Sequence, residues 1–362
     1  MSKYLNAVMV LALLSIGLPG AATAWNRGHV NTFAVLPDSD PGVPESAEGL
    51  AVGPDGNIYV PSGGFNAEGP VSSEAKLWVF NPAGRLIRTV TLTGTAPPVL
   101  GIAFNPTNGL AFIADLGKSS VFKWDRMTNT TTLVALLDDG TLPNAGPNAI
   151  CFDAAGNVYI SDSFKGVIWK TDKDGNNLSQ WVPPNPLLMP GEGLNPPFGA
   201  NGIEFNKAGT AMFVANTANH TIIKIPVNSD RTAGDPTLFT TGINAPDGIA
   251  IDAHDNLWVD ANQEDEIVVI DQTGKVIAKL GDFNGISENG TPRGLLFPAS
   301  LAFSLDGRFI YSSNFALNLP FASAQPAINS GWTLEVKHFT VSRLRARIPP
   351  IAGGDDETDE DQ

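Results

Sequence analysis

Six short phrases in this 362-residue chain share a plan and differ most in their first residue. They are Glu48-Gly-Leu-Ala-Val, Leu100-Gly-Ile-Ala-Phe, Asn148-Ala-Ile-Cys-Phe, Asn201-Gly-Ile-Glu-Phe, Asp247-Gly-Ile-Ala-Ile and Ala299-Ser-Leu-Ala-Phe. Two first residues are carboxylates, two are carboxamides and two are apolar. If the six positions converge, Glu48, Asn148, Asn201 and Asp247 form a cage of hard oxygen donors, which suits Ca2+. The two carboxylates would balance one divalent ion; without it they would repel, and one would take up a proton. The set holds no His or Cys, which disfavours zinc and copper. Asn and Asp also stand at strand starts merely to bond nearby backbone. Four oxygen donors at one repeat position go beyond that habit.

The elements that must position these residues follow from the spacing. The phrases begin 46 to 53 residues apart. Each is followed by a polar turn and a second strand, such as Asn57–Pro61 or Asn256–Asp260. A third strand comes next, such as Lys76–Phe80 or Glu266–Ile270; in the last copy it is assigned to Leu334–Phe339. Fourth strands such as Leu86–Thr91 and Val276–Leu280 complete the unit. Four antiparallel strands at this period indicate a β-propeller, and six copies indicate six blades. The fold class expected is therefore all-β, a six-bladed β-propeller. The last blade has no room for its own outer strand, so Val30–Leu36 is expected to close the ring. The six phrases then start at one end of the central channel, the top. Long connections gather there: Ser62–Ala75, Leu137–Pro147, Trp181–Ala200, Gly281–Pro298 and Asn314–Trp332. Long loops on one face usually carry function. Runs such as Trp181-Val-Pro-Pro and Phe315-Ala-Leu predict an apolar rim over the channel mouth.

Composition agrees. Gly 37, Pro 28 and only 16% charged residues favour a turn-rich β protein. A formal charge of −15 argues against nucleic acid and anionic membrane surfaces as partners. Residues 1–24 read as a signal peptide: Lys3, the apolar Val8–Ile16 and the small-residue site Ala22-Thr23-Ala24. The apolar run is too short to serve as a membrane anchor. A mature chain starting near Trp25, secreted or periplasmic, is expected, with the propeller over 25–348 and an acidic, solvated tail over 349–362. The single cysteine, Cys151, excludes an internal disulfide and reads as a buried small hydrophobe.

Glu48-Gly-Leu, Asn148-Ala-Ile, Asn201-Gly-Ile and Pro246-Asp247-Gly-Ile together resemble the gluconolactonase/regucalcin-like six-bladed propellers, relatives of paraoxonases and diisopropylfluorophosphatase. The resemblance runs from about Glu48 to Phe339. It implies one divalent cation, usually calcium, in the channel, and hydrolysis of lactones or related esters. Carried over by position, Glu48, Asn201 and Asp247 would be metal ligands, and Asn148 a fourth ligand or a substrate contact. Asp247 would act as general base or nucleophile, with Glu48 beside it in the catalytic pair. Leu100 and Ala299, the apolar members of the ring, would face the substrate. Sugar lactonases of the family tend to carry an Arg just before the third-blade Asn; here the lead-in is Asn144-Ala-Gly-Pro147. That departure and the apolar rim point to a hydrophobic lactone or ester. The paired histidines of paraoxonases have no counterpart, although His220, in the top loop Thr217–Thr221, is a candidate substrate contact. Gly-x-Ser-x-Gly does not occur, which removes support for a serine-hydrolase route. The partner expected is thus a small lactone or ester bound by a monomer. The alternative is a non-catalytic NHL-type propeller that binds a ligand or protein through its top loops, since Asn216-Thr-Ala-Asn-His220 and Asp115-Leu-Gly-Lys-Ser119 resemble those scaffolds.

Overall fold

The structure is a computed structural model that describes residues 27–71, 74–138, 140–141, 143–191, 197–318 and 330–348. The segments expected as signal peptide and acidic tail lie outside the described residues. Six four-stranded antiparallel sheets stand around one channel as a six-bladed propeller. Their inner strands are Ala51–Val52, Val99–Phe104, Pro147–Phe152, Ala200–Phe205, Pro246–Ile251 and Pro298–Phe303. Each inner strand turns back into a second strand at the bottom. The turn needs one residue with left-handed backbone, supplied by Gly56, Gly109, Gly156, Gly209 and Gly307 in five blades. Blade five uses Asp255 at φ 60°, a conformation that Asp tolerates better than most side chains.

Neighbouring blades hold each other through apolar side chains that leave both faces of every sheet. An aromatic residue of one second strand meets an inner-strand Phe of the next blade edge to face: Tyr59 with Phe104, Phe112 with Phe152, Tyr159 with Phe205 and Trp258 with Phe303, at 4.7 to 5.6 Å between ring centres. Each such pair contributes about 0.5–1.5 kcal/mol beyond its buried area. A buried cluster fills every gap between blades, so the core is a ring of six wedges. A seventh, smaller cluster of Phe297, Ala299, Phe315 and Leu317 lies at the top.

The ring closes as expected: Asn31–Val35 pairs with Thr340–Arg345 and becomes the outer strand of blade six. The third strand of that blade differs from expectation. It is Thr340–Arg345, which pairs with Phe309–Asn314, and not Leu334–Phe339. The earlier apolar stretch is spent above the blade. Leu334 is exposed, Trp332 packs on Phe283, and Lys337 donates its N–H to Gly290 in a top hairpin. That hairpin, Phe283–Ile286 with Pro292–Gly294, and another, Phe65–Asn66 with Gly69–Pro70, give two top loops a structure that loop length alone does not reveal. Among the described residues no helix is long and apolar enough to cross a membrane.

Candidate functional site: the top of the channel

The first residue of five of the six phrases sits on a β-bulge. In blade three Pro147 pairs with Asp162 and Ile150 with Ile160, so three steps on the inner strand face two on its neighbour. Blades two, four, five and six repeat this irregularity at Leu100, Asn201, Asp247 and Ala299. A bulge turns one side chain out of the alternating pattern, and here the turned positions share one end of the channel. The residue after each shows how tightly they converge. A Cβ on Gly202 would lie 2.1 Å from the carbonyl oxygen of Asp247, and one on Gly49 2.0 Å from that of Leu100. In four blades the inner strands approach so closely that glycine is the residue that fits, whereas blades three and six carry Ala149 and Ser300 there.

An outer ring supports this one. Fifteen or sixteen positions later in the chain, just past each second strand, stand Gly63, Leu116, Ser163, Thr217, Asn262 and Phe315. Polar partners occur in blades three, four and five, where the ring residue is also polar. Ser163 donates its hydroxyl proton to the Ala200 carbonyl at 2.7 Å, and Thr217 donates to that of Pro246 at 2.7 Å. Each hydroxyl can then only accept from its asparagine, so Nδ2 of Asn148 donates to Ser163 at 3.1 Å and Nδ2 of Asn201 to Thr217 at 2.9 Å. Both carboxamides are oriented by this logic, with Oδ1 turned away from the hydroxyl. Asn262 donates from Nδ2 to Asp247 Oδ2 at 2.8 Å and also to the Pro298 carbonyl.

Glu48, Leu100, Asn148, Asn201 and Asp247 line one cavity of about 60 Å³, together with Leu116, Thr217 and Asn262. Phe65, Phe198, Phe297, Phe315 and Leu317 wall its upper part. Glu48 and Asp247 are 5% and 4% exposed, so both carboxyls stand in a medium that resists charge. Burial raises Asp247 to about 7 against the opposing pull of the nearby Asn262 and Asn201 amides. Burial first, and then the charge of Asp247, push Glu48 well above the usual carboxylate range. Asp247 Oδ1 is buried and has no hydrogen-bond partner. A buried carboxylate oxygen without a donor is costly, and a cation at this point would remove that cost. Two carboxylates and two oriented amide oxygens are the hard donors that Ca2+ takes. Among the described residues no three His, Cys, Asp or Glu side chains are grouped so as to hold a metal ion, so such a site depends on the amides as well as the acids.

Two sequence candidates stand apart from this cavity. Ala299 is buried in the small top cluster and does not line it. His220 does not line it either; its backbone takes a φ of 57°, and its Nδ1 accepts the N–H of Ala245 at 2.9 Å. That imidazole ties a loop together, and burial lowers its pKa. Asn262, Thr217 and Ser163 bond the ring residues but stand outside the six phrases; the signal that finds them is their fixed distance from the ring residues. One more acid lies outside the phrases. Asp260, fully buried on the second strand of blade five, has both oxygens 3.2 Å from Ser312 Oγ. Burial and the charge of Asp247 push it well above the ordinary range.

Residues 118–281 match the family model described as SMP-30/Gluconolactonase/LRE-like region. The chain carries a gluconolactonase-like region. It holds Asn148, Asn201 and Asp247, whereas Glu48 stands before it. Solved structures extend the likeness to the whole propeller. The calcium-binding protein regucalcin from Agrobacterium tumefaciens is 19% identical, covering 90% of this chain and 96% of its own, with a TM-score of 0.60. A gluconolactonase from Xanthomonas campestris is 12% identical, covering 89% and 91%, at 0.61. Virginiamycin B lyase from Staphylococcus aureus is 14% identical, covering 83% and 95%, at 0.53. At such identities the likeness establishes the propeller fold. No curated protein matches the sequence. Beside the gluconolactonase-like region the lyase shows that this fold alone does not choose a chemistry.

Proposed function

We propose that the chain is a lactonase- or esterase-type hydrolase acting on an apolar substrate, with a divalent cation, calcium foremost, held by Glu48, Asn148, Asn201 and Asp247. The observation that carries this reading is the unpartnered Asp247 Oδ1 in a cavity shared with the Glu48 carboxyl and two oriented carboxamides. The calcium-binding neighbour and the gluconolactonase neighbour support it from outside the chain. A bound calcium would polarise the substrate carbonyl as a Lewis acid. The chain's own residues supply the rest. Asn262 fixes Asp247 through Oδ2, so that Oδ1 is the atom left to face the reactants. As the carboxylate beside the cation, Asp247 would take the proton from the attacking water. Glu48 serves chiefly as a ligand, and Asn148 as a ligand or a contact to the substrate.

A cavity of about 60 Å³ admits little more than the reacting carbonyl and a water. The body of the substrate must therefore rest on Phe65, Phe297, Phe315 and Leu317. No Lys or Arg lines the cavity among the described residues, so it offers no partner for a phosphate or carboxylate. The wall of Phe65, Phe198, Phe297, Phe315 and Leu317 offers no hydrogen-bonding side chain to the hydroxyls of a sugar lactone, which is the argument for an apolar lactone or aryl ester. Export is part of the proposal and rests on the N-terminal pattern Lys3, Val8–Ile16 and Ala22-Thr23-Ala24. A panel of apolar lactones, aldonolactones and aryl esters, assayed with calcium and with a chelator, tests the activity. Hydrolysis of an apolar member is expected, abolished by the chelator and lowered about a thousandfold by Asp247→Ala. Full activity in that variant would remove Asp247 from its role.

A further inference from the structure

The other end of the channel breaks the repeat at one residue. The fourth position of the phrases reads Ala51, Ala103, Cys151, Glu204, Ala250 and Ala302. Five small side chains keep this narrow zone filled without crowding, and blade four alone places a carboxyl there. Glu204 opens into a basin of about 470 Å³ among the bottom turns, at the far end of the inner strand that begins with Asn201. This is a volume suited to a small molecule. One wall is apolar, made by Phe152, Ile249, Leu301 and Phe303. Lys207 and Arg231 stand exposed at the mouth.

The charges are divided by depth. Glu204 accepts one hydrogen bond, from the N–H of Phe205 at 2.9 Å, and no ion pair reaches it among the described residues. Burial raises its carboxyl to about 7, with Lys207 pulling weakly the other way. At the mouth, Arg231 donates to the Gly209 carbonyl at 3.2 Å, and neither cation is paired with a carboxylate among the described residues. Asp153, also in the lining, is committed to its own turn through Ala155, Asn157 and Tyr159. An acid within, two cations outside and an apolar wall along one side are complementary to a zwitterion with a hydrophobic side chain.

We propose that this basin is a second ligand site, for a small apolar α-amino acid, with its ammonium on Glu204, its carboxylate at Lys207 and Arg231, and its side chain on the apolar wall. The site is independent of the chemistry at the top. Calorimetric titration with L-phenylalanine and L-leucine tests it. Saturable binding at one per chain is expected in the wild type. Glu204→Ala should weaken it about tenfold or more, because a charge-assisted hydrogen bond is lost. That variant installs the residue found at the same place in four other blades, so a wild-type melting temperature is expected; Glu204→Gln is the second variant should Ala alter the fold. Lys207→Ala combined with Arg231→Ala should weaken binding of the amino acid but not of phenethylamine. Asp247→Ala should leave binding unchanged, which separates this site from the top cavity. Absence of binding in the wild type, equal affinity in both Glu204 variants, or equal affinity for 3-phenylpropanoic acid would each overturn the proposal.

Discussion

The two ends of the channel are built by the same six inner strands and treat their repeat positions in opposite ways. At the bottom, five blades place a glycine and one an aspartate at the same left-handed turn position, and five of six carry a small residue at the strand end. At the top, five of the six strands pass through the same bulge, but the residues the six blades present are Glu, Leu, Asn, Asn, Asp and Ala. Uniformity marks the positions where backbone geometry decides. Variety marks the positions that the fold presents and leaves chemistry to fill. Glu204 matters for the same reason as Asp247, since each departs from a repeat that other blades keep.

Glycine substitutions separate the two ends most strongly. Gly202→Ala would drive a Cβ to 2.1 Å from the Asp247 carbonyl oxygen, whereas a Cβ on Gly109 would meet nothing within 4 Å. The first is expected to cost about 3 kcal/mol or more through overpacking, the second about 1 kcal/mol through its positive φ alone. Denaturant titration of both variants reads the difference, and equal costs would deny that the top is the tighter end. Next in size is Asn262→Ala. Loss of the bond that fixes Asp247 should lower kcat about 10- to 100-fold, as loss of an outer-shell partner does elsewhere, with little change in melting temperature. Ser304→Ala, in a bottom turn, should leave kcat alone.

The smallest effect is one of pH. Asp247 and Glu48 are both raised above their ordinary values in the fold. Between the unfolded and folded pKa values the folded chain therefore holds more protons than the unfolded one, so stability falls as pH rises. Their contribution is fully present below about pH 4 and is lost through about 7, the value for Asp247. Chelator-treated protein should thus melt lower at pH 8 than at pH 6. Calcium should reduce the difference, and Asp247→Asn should shrink it, the remainder coming from Glu204 and Asp260, which burial also raises.

The reach of the sequence can be followed residue by residue. The six blades and the closing strand are legible because a repeat states its own period, and Val30–Leu36 is the spare strand. Glu48, Leu100, Asn148, Asn201 and Asp247 are legible because a variable position stands out against a constant one. The bulge that aims them is not, since an extra residue in one strand leaves no mark on hydrophobic spacing. Leu334–Phe339 misleads because Val336 and Phe339 are buried in the core, as strand residues would be, without joining the sheet. His220 is attractive by residue type, but its ring nitrogen is occupied by Ala245. Asn262 and Thr217 emerge only when the positions fifteen or sixteen residues after each ring residue are aligned in turn. Ring residue and partner then change character together in five blades, polar in three to five and apolar in two and six, while blade one sets Glu48 against Gly63.

The most direct test is the number of calcium ions bound per chain after equilibrium dialysis, in the wild type and in Asp247→Ala. One ion tightly held by the wild type and none by the variant is the expected result. An empty wild type, or one ion in both, would contradict the role assigned to the ring.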